Sequence, residues 1–194
     1  MTQLITGIYQ GEEIPVAVDS DGKLVVAGGG GGGGSGGVTG FASSATITRA
    51  ANTTPYIAND VYGGAFELQN IGLAGSVVFL NAFRVIFNIT ALPAGMGNFL
   101  LYLYSSSPTS NIEDNASFSV PAGDRAALLT PGGIILGSAT LATGGGSVVL
   151  QCENINVPLK LITTSLFGYL VPQSGFIPGG VSETASVTAI STAA

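Results

Sequence analysis

The chain has 194 residues, carries 5 Lys and Arg against 11 Asp and Glu, and contains no His and no Trp. Such a length supports one globular domain with an appendage, but 8% charged residues and 30 glycines depart from ordinary usage of about 25% and 7%. Five cations cannot neutralise many phosphates, so nucleic-acid binding is disfavoured, and without His there can be no Ser-His-Asp or Cys-His catalysis and no HExxH zinc site.

An apolar content of 46% with a net charge of −6 argues against disorder for the bulk of the chain. The longest apolar stretch, 75–93, is interrupted by Asn81, Arg84 and Asn88, whereas a membrane-spanning helix needs about 20 mostly apolar residues. Residues 1–10 show neither the basic start nor the apolar run of a secretory signal, so none is expected.

Residues 1–27 read as an arm. Ile14-Pro15-Val16-Ala17-Val18 and Lys23-Leu24-Val25-Val26 are strand-forming runs on either side of Asp19-Ser20-Asp21-Gly22, and Asp-Gly favours a hairpin turn. A two-stranded hairpin is marginal alone, so this one is expected to need a host surface. Residues 28–37 are glycine apart from Ser35. With no side chain to anchor it, this run reads as a linker, about 18 Å in root-mean-square span as a coil. A second reading packs several copies side by side around a symmetry axis, where only Gly fits.

Residues 38–194 form the main domain. Strands are expected at 45–49, 65–69, 77–89, 99–104, 134–136, 147–151, 157–162, 167–171 and 185–190, punctuated by Gly, Pro, Asn and Ser. Phe83, Val85, Phe87 and Ile89 alternate with Arg84, Ile86 and Asn88, the period of a half-buried strand. A short helix is expected within 121–129. Many short strands with Gly/Pro turns and no βαβ alternation predict an all-β protein, an antiparallel sandwich of jelly-roll type. Cys152, alone beside Val149 and Leu150, reads as a small core residue.

No motif carries chemistry. The glycine run contains G-x-G-x-x-G trivially but lacks the Gly-Lys-Ser/Thr of a phosphate loop, and its G-x-S-x-G match has no base. Asp19, Asp21 and Gly22 suit a hairpin turn better than a calcium loop, which needs flanking helices and a Glu at position 12. Glu113 and Asp114 read as solvated loop charges. Glu67 has no evident partner, with Arg49, Arg84 and Arg125 as candidates. Tyr102 and Tyr104 form an aromatic stripe of the kind found in cores and interfaces, and more rarely in sugar sites. No catalytic residue, cofactor or metal site is expected.

Three segments resemble a family of small bacteriophage virion structural proteins of the head-decoration kind. They are Ser44-Ala45-Thr46-Ile47-Thr48-Arg49-Ala50-Ala51-Asn52-Thr53-Thr54-Pro55-Tyr56 with Asn59-Asp60-Val61-Tyr62-Gly63, Leu101-Tyr102-Leu103-Tyr104-Ser105-Ser106-Ser107-Pro108-Thr109-Ser110 with Asp114-Asn115-Ala116-Ser117-Phe118 and Asp124-Arg125-Ala126, and Thr164-Ser165-Leu166-Phe167-Gly168-Tyr169-Leu170-Val171. The arm is similar to the N-terminal region of phage head-surface proteins. The resemblance implies a structural component of a tailed-phage particle, and with the arm and the absence of catalytic motifs it leads to the expectation of a non-enzymatic decoration protein on the capsid surface of the virion. Its expected partners are the major capsid protein and further copies of itself, as a trimer, with neither nucleic acid nor membrane. Ile14, Pro15, Val16, Val18, Leu24 and Val26 are the expected capsid-docking residues. The alternative is a tail or head-fibre appendage that binds host carbohydrate through loops of the sandwich.

Overall fold

The computed structural model describes residues 39–142 and 146–194, together with the backbone of two upstream strands, β1 (Gln3–Tyr9) and β2 (Glu12–Val18). The chain separates into two units, Met1–Gly37 and Val38–Ala194.

In the first unit β1 and β2 pair antiparallel, from Tyr9 opposite Glu12 to Gln3 opposite Val18. The sequence reading paired 14–18 with 23–26. Residues 14–18 are strand and pair with β1; the 23–26 run, with Leu24 and Val26, lies outside the described residues, and so does its expected pairing. Ile5, Thr6, Ile8 and Tyr9 favour extended backbone, and only Gln10 and Gly11 separate the two strands, so closing this hairpin costs little loop entropy.

The second unit contains β3 (Gly40–Thr48), β4 (Tyr62–Leu68), β5 (Val77–Phe87), β6 (Phe99–Tyr104), β7 (Ile134–Leu136), β8 (Thr140–Leu141), β9 (Val148–Lys160), β10 (Leu166–Pro172) and β11 (Thr184–Ala193). All pair antiparallel, in a four-stranded sheet of order β4-β10-β6-β7 and a five-stranded sheet of order β3-β11-β5-β9-β8. The protein is an all-β antiparallel sandwich. The expected helix within 121–129 is reduced to one 3-10 turn at Ala122–Asp124. Gly123 disfavours continuation, and the Asp124 side chain is drawn away to Thr109 and Ser110.

The strands expected at 147–151 and 157–162 are one strand, β9. Between them Asn154 and Asn156 take left-handed backbone, φ 56° and 49°. The register passes from Ala82 opposite Glu153 to Leu80 opposite Val157, so Asn81 faces three residues. This bulge interrupts the edge of β9 beyond β8, which discourages pairing with other chains.

The main core lies between the sheets. Phe83, Val85 and Phe87 of β5 are wholly buried and pack with Phe99, Leu101 and Leu103 of β6 and Leu166 and Leu170 of β10, while Arg84 points out. Each such side chain contributes about 1.5–3 kcal/mol. Cys152 is half-buried against this core. A second cluster covers the other face of the four-stranded sheet, where Val61, Tyr104, Tyr169 and Val171 are buried beneath Ile112, Phe118 and Leu128 of the 105–133 connection. Tyr102 stacks on Phe118 with centroids 4.2 Å apart. The aromatic stripe is therefore core.

The chain enters this unit at one end of the sandwich, where Ala193 N–H donates to Thr39 O, Ala194 N–H to Val77 O and Leu161 N–H to Ser76 O. The connections β3–β4, β5–β6 and β10–β11, residues 49–61, 88–98 and 173–183, lie together at the opposite end.

Candidate functional site

A buried ionic network ties these far-end loops together. Arg49 follows β3 directly, and its N–H donates to Glu183 O at 3.0 Å, which sets the side chain against the loop before β11. Arg49 Nε donates to Tyr56 Oη at 2.5 Å, and Nη1 donates to Gly180 O at 3.2 Å and to Glu183 Oε2 at 3.4 Å. Tyr56 Oη donates to Asp114 Oδ1. Asp114 also accepts from Gly63 N–H at 2.7 Å and Ala50 N–H at 3.0 Å, and its Oδ2 lies 3.9 Å from Arg49 Nε. The guanidinium carbon sits 5.0 Å from the Tyr56 ring centre and 5.9 Å from that of Tyr62. The side chain of Arg49 is fully buried, and those of Asp114 and Glu183 are each 8% exposed.

Several sequence expectations change here. Asp114 is no solvated loop charge but a buried acceptor that joins the β3–β4 and 105–133 connections, whereas Glu113 is exposed. Arg49 is spent on this network and not on Glu67, whose carboxylate meets Gln69 at 3.5 Å. No local pattern could have revealed this, because Arg49, Asp114 and Glu183 meet only through sheet topology.

Burial works against the Arg49 charge, but the hydrogen bond to Tyr56 and the nearby Asp114 carboxylate outweigh it and raise its pKa. Burial, then Asp114, raises Tyr56, and burial, then Glu183, raises Tyr62. Both phenols thus stay neutral. Two buried atoms, Arg49 Nη2 and Tyr62 Oη, have no hydrogen-bond partner among the described residues. Tyr56 stacks on Phe176 at 4.8 Å and pairs with it through an isolated bridge, so the third loop joins the assembly.

A second anchor lies at Asp124, which is 2% exposed. Its carboxylate accepts from Thr109 N–H at 2.8 Å, Thr109 Oγ1 at 2.6 Å, Ser110 N–H at 3.0 Å and Ser110 Oγ at 2.5 Å. The Ser110 and Thr109 side-chain bonds hold its pKa well below the usual carboxylate range. Tyr104 beneath is pushed up to about 12 by burial, then by Tyr169 and Asp124.

Above the ionic network the loops expose Ile57, Leu92, Ile177 and Val181, each between 42% and 67% accessible. Beside them Asn88, Thr90, Gly180 and Glu183 line a shallow hollow of about 300 Å³. A rigid sandwich presenting loops at one end is a common arrangement for recognition. Among the described residues, no three Cys, Asp or Glu lie close enough to hold a metal ion.

Of the residues expected to dock on a capsid, Ile14, Pro15, Val16 and Val18 lie on β2, opposite Gly7, Thr6, Ile5 and Gln3. No protein-family model and no characterised protein matches the sequence.

Proposed function

We propose that the protein is a capsid decoration protein of a bacteriophage, whose N-terminal arm docks on the shell and whose sandwich stands on the outside of the particle. The observation that carries this reading is the division of the chain. The hairpin and the sandwich belong to separate units, and the run between them carries no side chain apart from that of Ser35. A lone two-stranded sheet is marginal in water and gains by adding strands from a partner. The resemblance of 44–63, 101–126 and 164–171 to phage virion proteins supports the same reading.

The low charge of the chain fits a component with large contacts to its own copies, since exposed apolar surface is hidden by closed symmetry. A trimer would suit local threefold positions and bring three glycine runs together. Sedimentation equilibrium tests this part, and a monomer at micromolar concentration and above would remove it.

Binding the assembled shell and not its dissociated subunits stabilises the shell by mass action, and about 1–2 kcal/mol per copy would suffice when repeated over the particle. Phage lacking the protein should still assemble but release their genomes at lower temperature or milder osmotic shock. Deleting residues 1–27 should leave a folded sandwich that no longer joins the particle. Equal robustness with and without the protein would reject the cementing role.

A second reading is an appendage that recognises host carbohydrate through the far-end loops, where Asn88, Thr90 and Glu183 line a shallow hollow and offer hydrogen-bonding groups. That end lies opposite the entry of the chain, the place a receptor-facing surface would occupy. Depleted particles that remain robust but fail to adsorb to host cells would favour it.

A further inference from the structure

The two outer edges of the arm hairpin are not equivalent. In an antiparallel pair, residues that exchange two hydrogen bonds alternate with residues that exchange none. Thr6 faces Pro15, and proline has no N–H to exchange, so this pair belongs to the second kind. The alternation then places the N–H and C=O groups of Leu4, Thr6 and Ile8 on the outer edge of β1, and those of Glu13, Pro15 and Ala17 on the outer edge of β2. β1 offers three donors at intervals of about 6.8 Å. β2 offers two, with a gap at its centre.

The composition shows the same asymmetry. β1 reads Gln-Leu-Ile-Thr-Gly-Ile-Tyr, without a charge or a proline. β2 opens with Glu12 and Glu13 and carries Pro15 in its middle. Charges and prolines are the devices by which an edge strand resists further pairing. Among the described residues, one edge is blunted and the other is left open.

From this asymmetry we infer that the arm binds through the outer edge of β1, which takes an uncharged edge strand of the shell protein as a third strand of the hairpin sheet. The inference rests on the docking reading above and names its chemistry. A row of alternating N–H and C=O groups at strand spacing is matched by extended backbone, whereas a helix has already spent those groups on itself. An uncharged strand fits because β1 has no charge with which to pair an ionic one. Ile14, Pro15, Val16 and Val18 then complete the hairpin from its blunted side and do not supply the pairing edge.

The test uses full-length protein loaded onto virions grown without it, with amide exchange read in the free and loaded states. Loading should slow exchange at Leu4, Thr6 and Ile8 at least tenfold and leave Glu13 and Ala17 unchanged. Thr6→Pro removes one outward donor, as Pro15 already does across the hairpin, and should weaken loading about fivefold to tenfold, the worth of one hydrogen bond. Ala17→Pro makes the mirror change on β2 and should load as the parent does. Protection at Glu13 and Ala17 instead, or equal loss in both variants, would overturn the inference. If neither variant matters while deletion of 1–27 abolishes loading, strand addition at β1 is wrong and docking by the arm stands. If the deletion loads normally, the docking reading itself falls. Protection of Leu4, Thr6 and Ile8 in free protein at micromolar concentration would give the edge to a second copy, if it fades on dilution, or to another segment of this chain, if it does not, and either result would overturn the assigned partner.

Discussion

Replacing Arg49 by Ala should be among the most damaging single changes to the sandwich. The substitution leaves Asp114 and Glu183, each 8% exposed, without their cation, and removes the side-chain donor to Tyr56 Oη and Gly180 O. Breaking a buried ion pair by deleting one partner costs about 3–5 kcal/mol, because the remaining charge stays desolvated. Asp114 retains Tyr56 Oη and the N–H groups of Ala50 and Gly63, so the lower half of that range is expected, about 3–4 kcal/mol. For a unit of this size that is a fall in Tm of about 6–16 °C. Urea unfolding of the full chain at neutral pH reads the value directly, with Arg84→Ala as control, since that exposed side chain makes no ion pair among the described residues and should change stability by no more than about 0.5 kcal/mol. Asp114→Asn in the Arg49→Ala background should cost much less than the sum of the two single losses. A loss below about 1 kcal/mol for Arg49→Ala would show that the network behaves as an exposed ion pair and refute the reasoning from burial.

Asp124→Asn should cost about 2–3 kcal/mol at neutral pH, because hydrogen bonds from four donors to a charged acceptor are weakened together. The folded-state pKa of Asp124 is depressed, so its contribution is fully present above the ordinary carboxylate value of 3.8 and fades as pH falls below it; the gap between parent and variant in urea midpoints should narrow in that window. Gly63 and Gly75 share left-handed backbone, φ 70° and 73°, but a Cβ at Gly63 would lie 2.1 Å from Ile47 Cγ2 and one at Gly75 meets nothing within 4 Å. Gly75→Ala should therefore cost about 1–2 kcal/mol from backbone strain alone, and Gly63→Ala at least about 1 kcal/mol more from overpacking, as measured by thermal unfolding. Phe118→Ala should expose Tyr102, lose the stack at 4.2 Å and lower stability by about 2–4 kcal/mol.

The strands of the sandwich were legible because their signals are local. Phe83, Val85 and Phe87 alternate with Arg84, and the period alone separates core face from outer face. The same holds for Phe99–Tyr104, except that both of its faces are apolar, which a single period cannot tell from an aromatic surface stripe. What covers the second face, Phe118 and Leu128 from a long connection, is a tertiary fact. Local propensity separates 147–151 from 157–162, because Asn154 and Asn156 are turn formers; the pairing partner β5 carries the strand through them as a bulge. In the arm, the strand propensity of 14–18 is local and legible, but its pairing with β1 is decided by the tertiary structure, because propensity alone names no partner. The Arg49 network lay beyond reach for a stronger reason. Composition shows that cations are few, but which of them is buried depends on where three strand ends and the 105–133 connection converge, and the cost of burying a charge is met only by groups the fold brings to it.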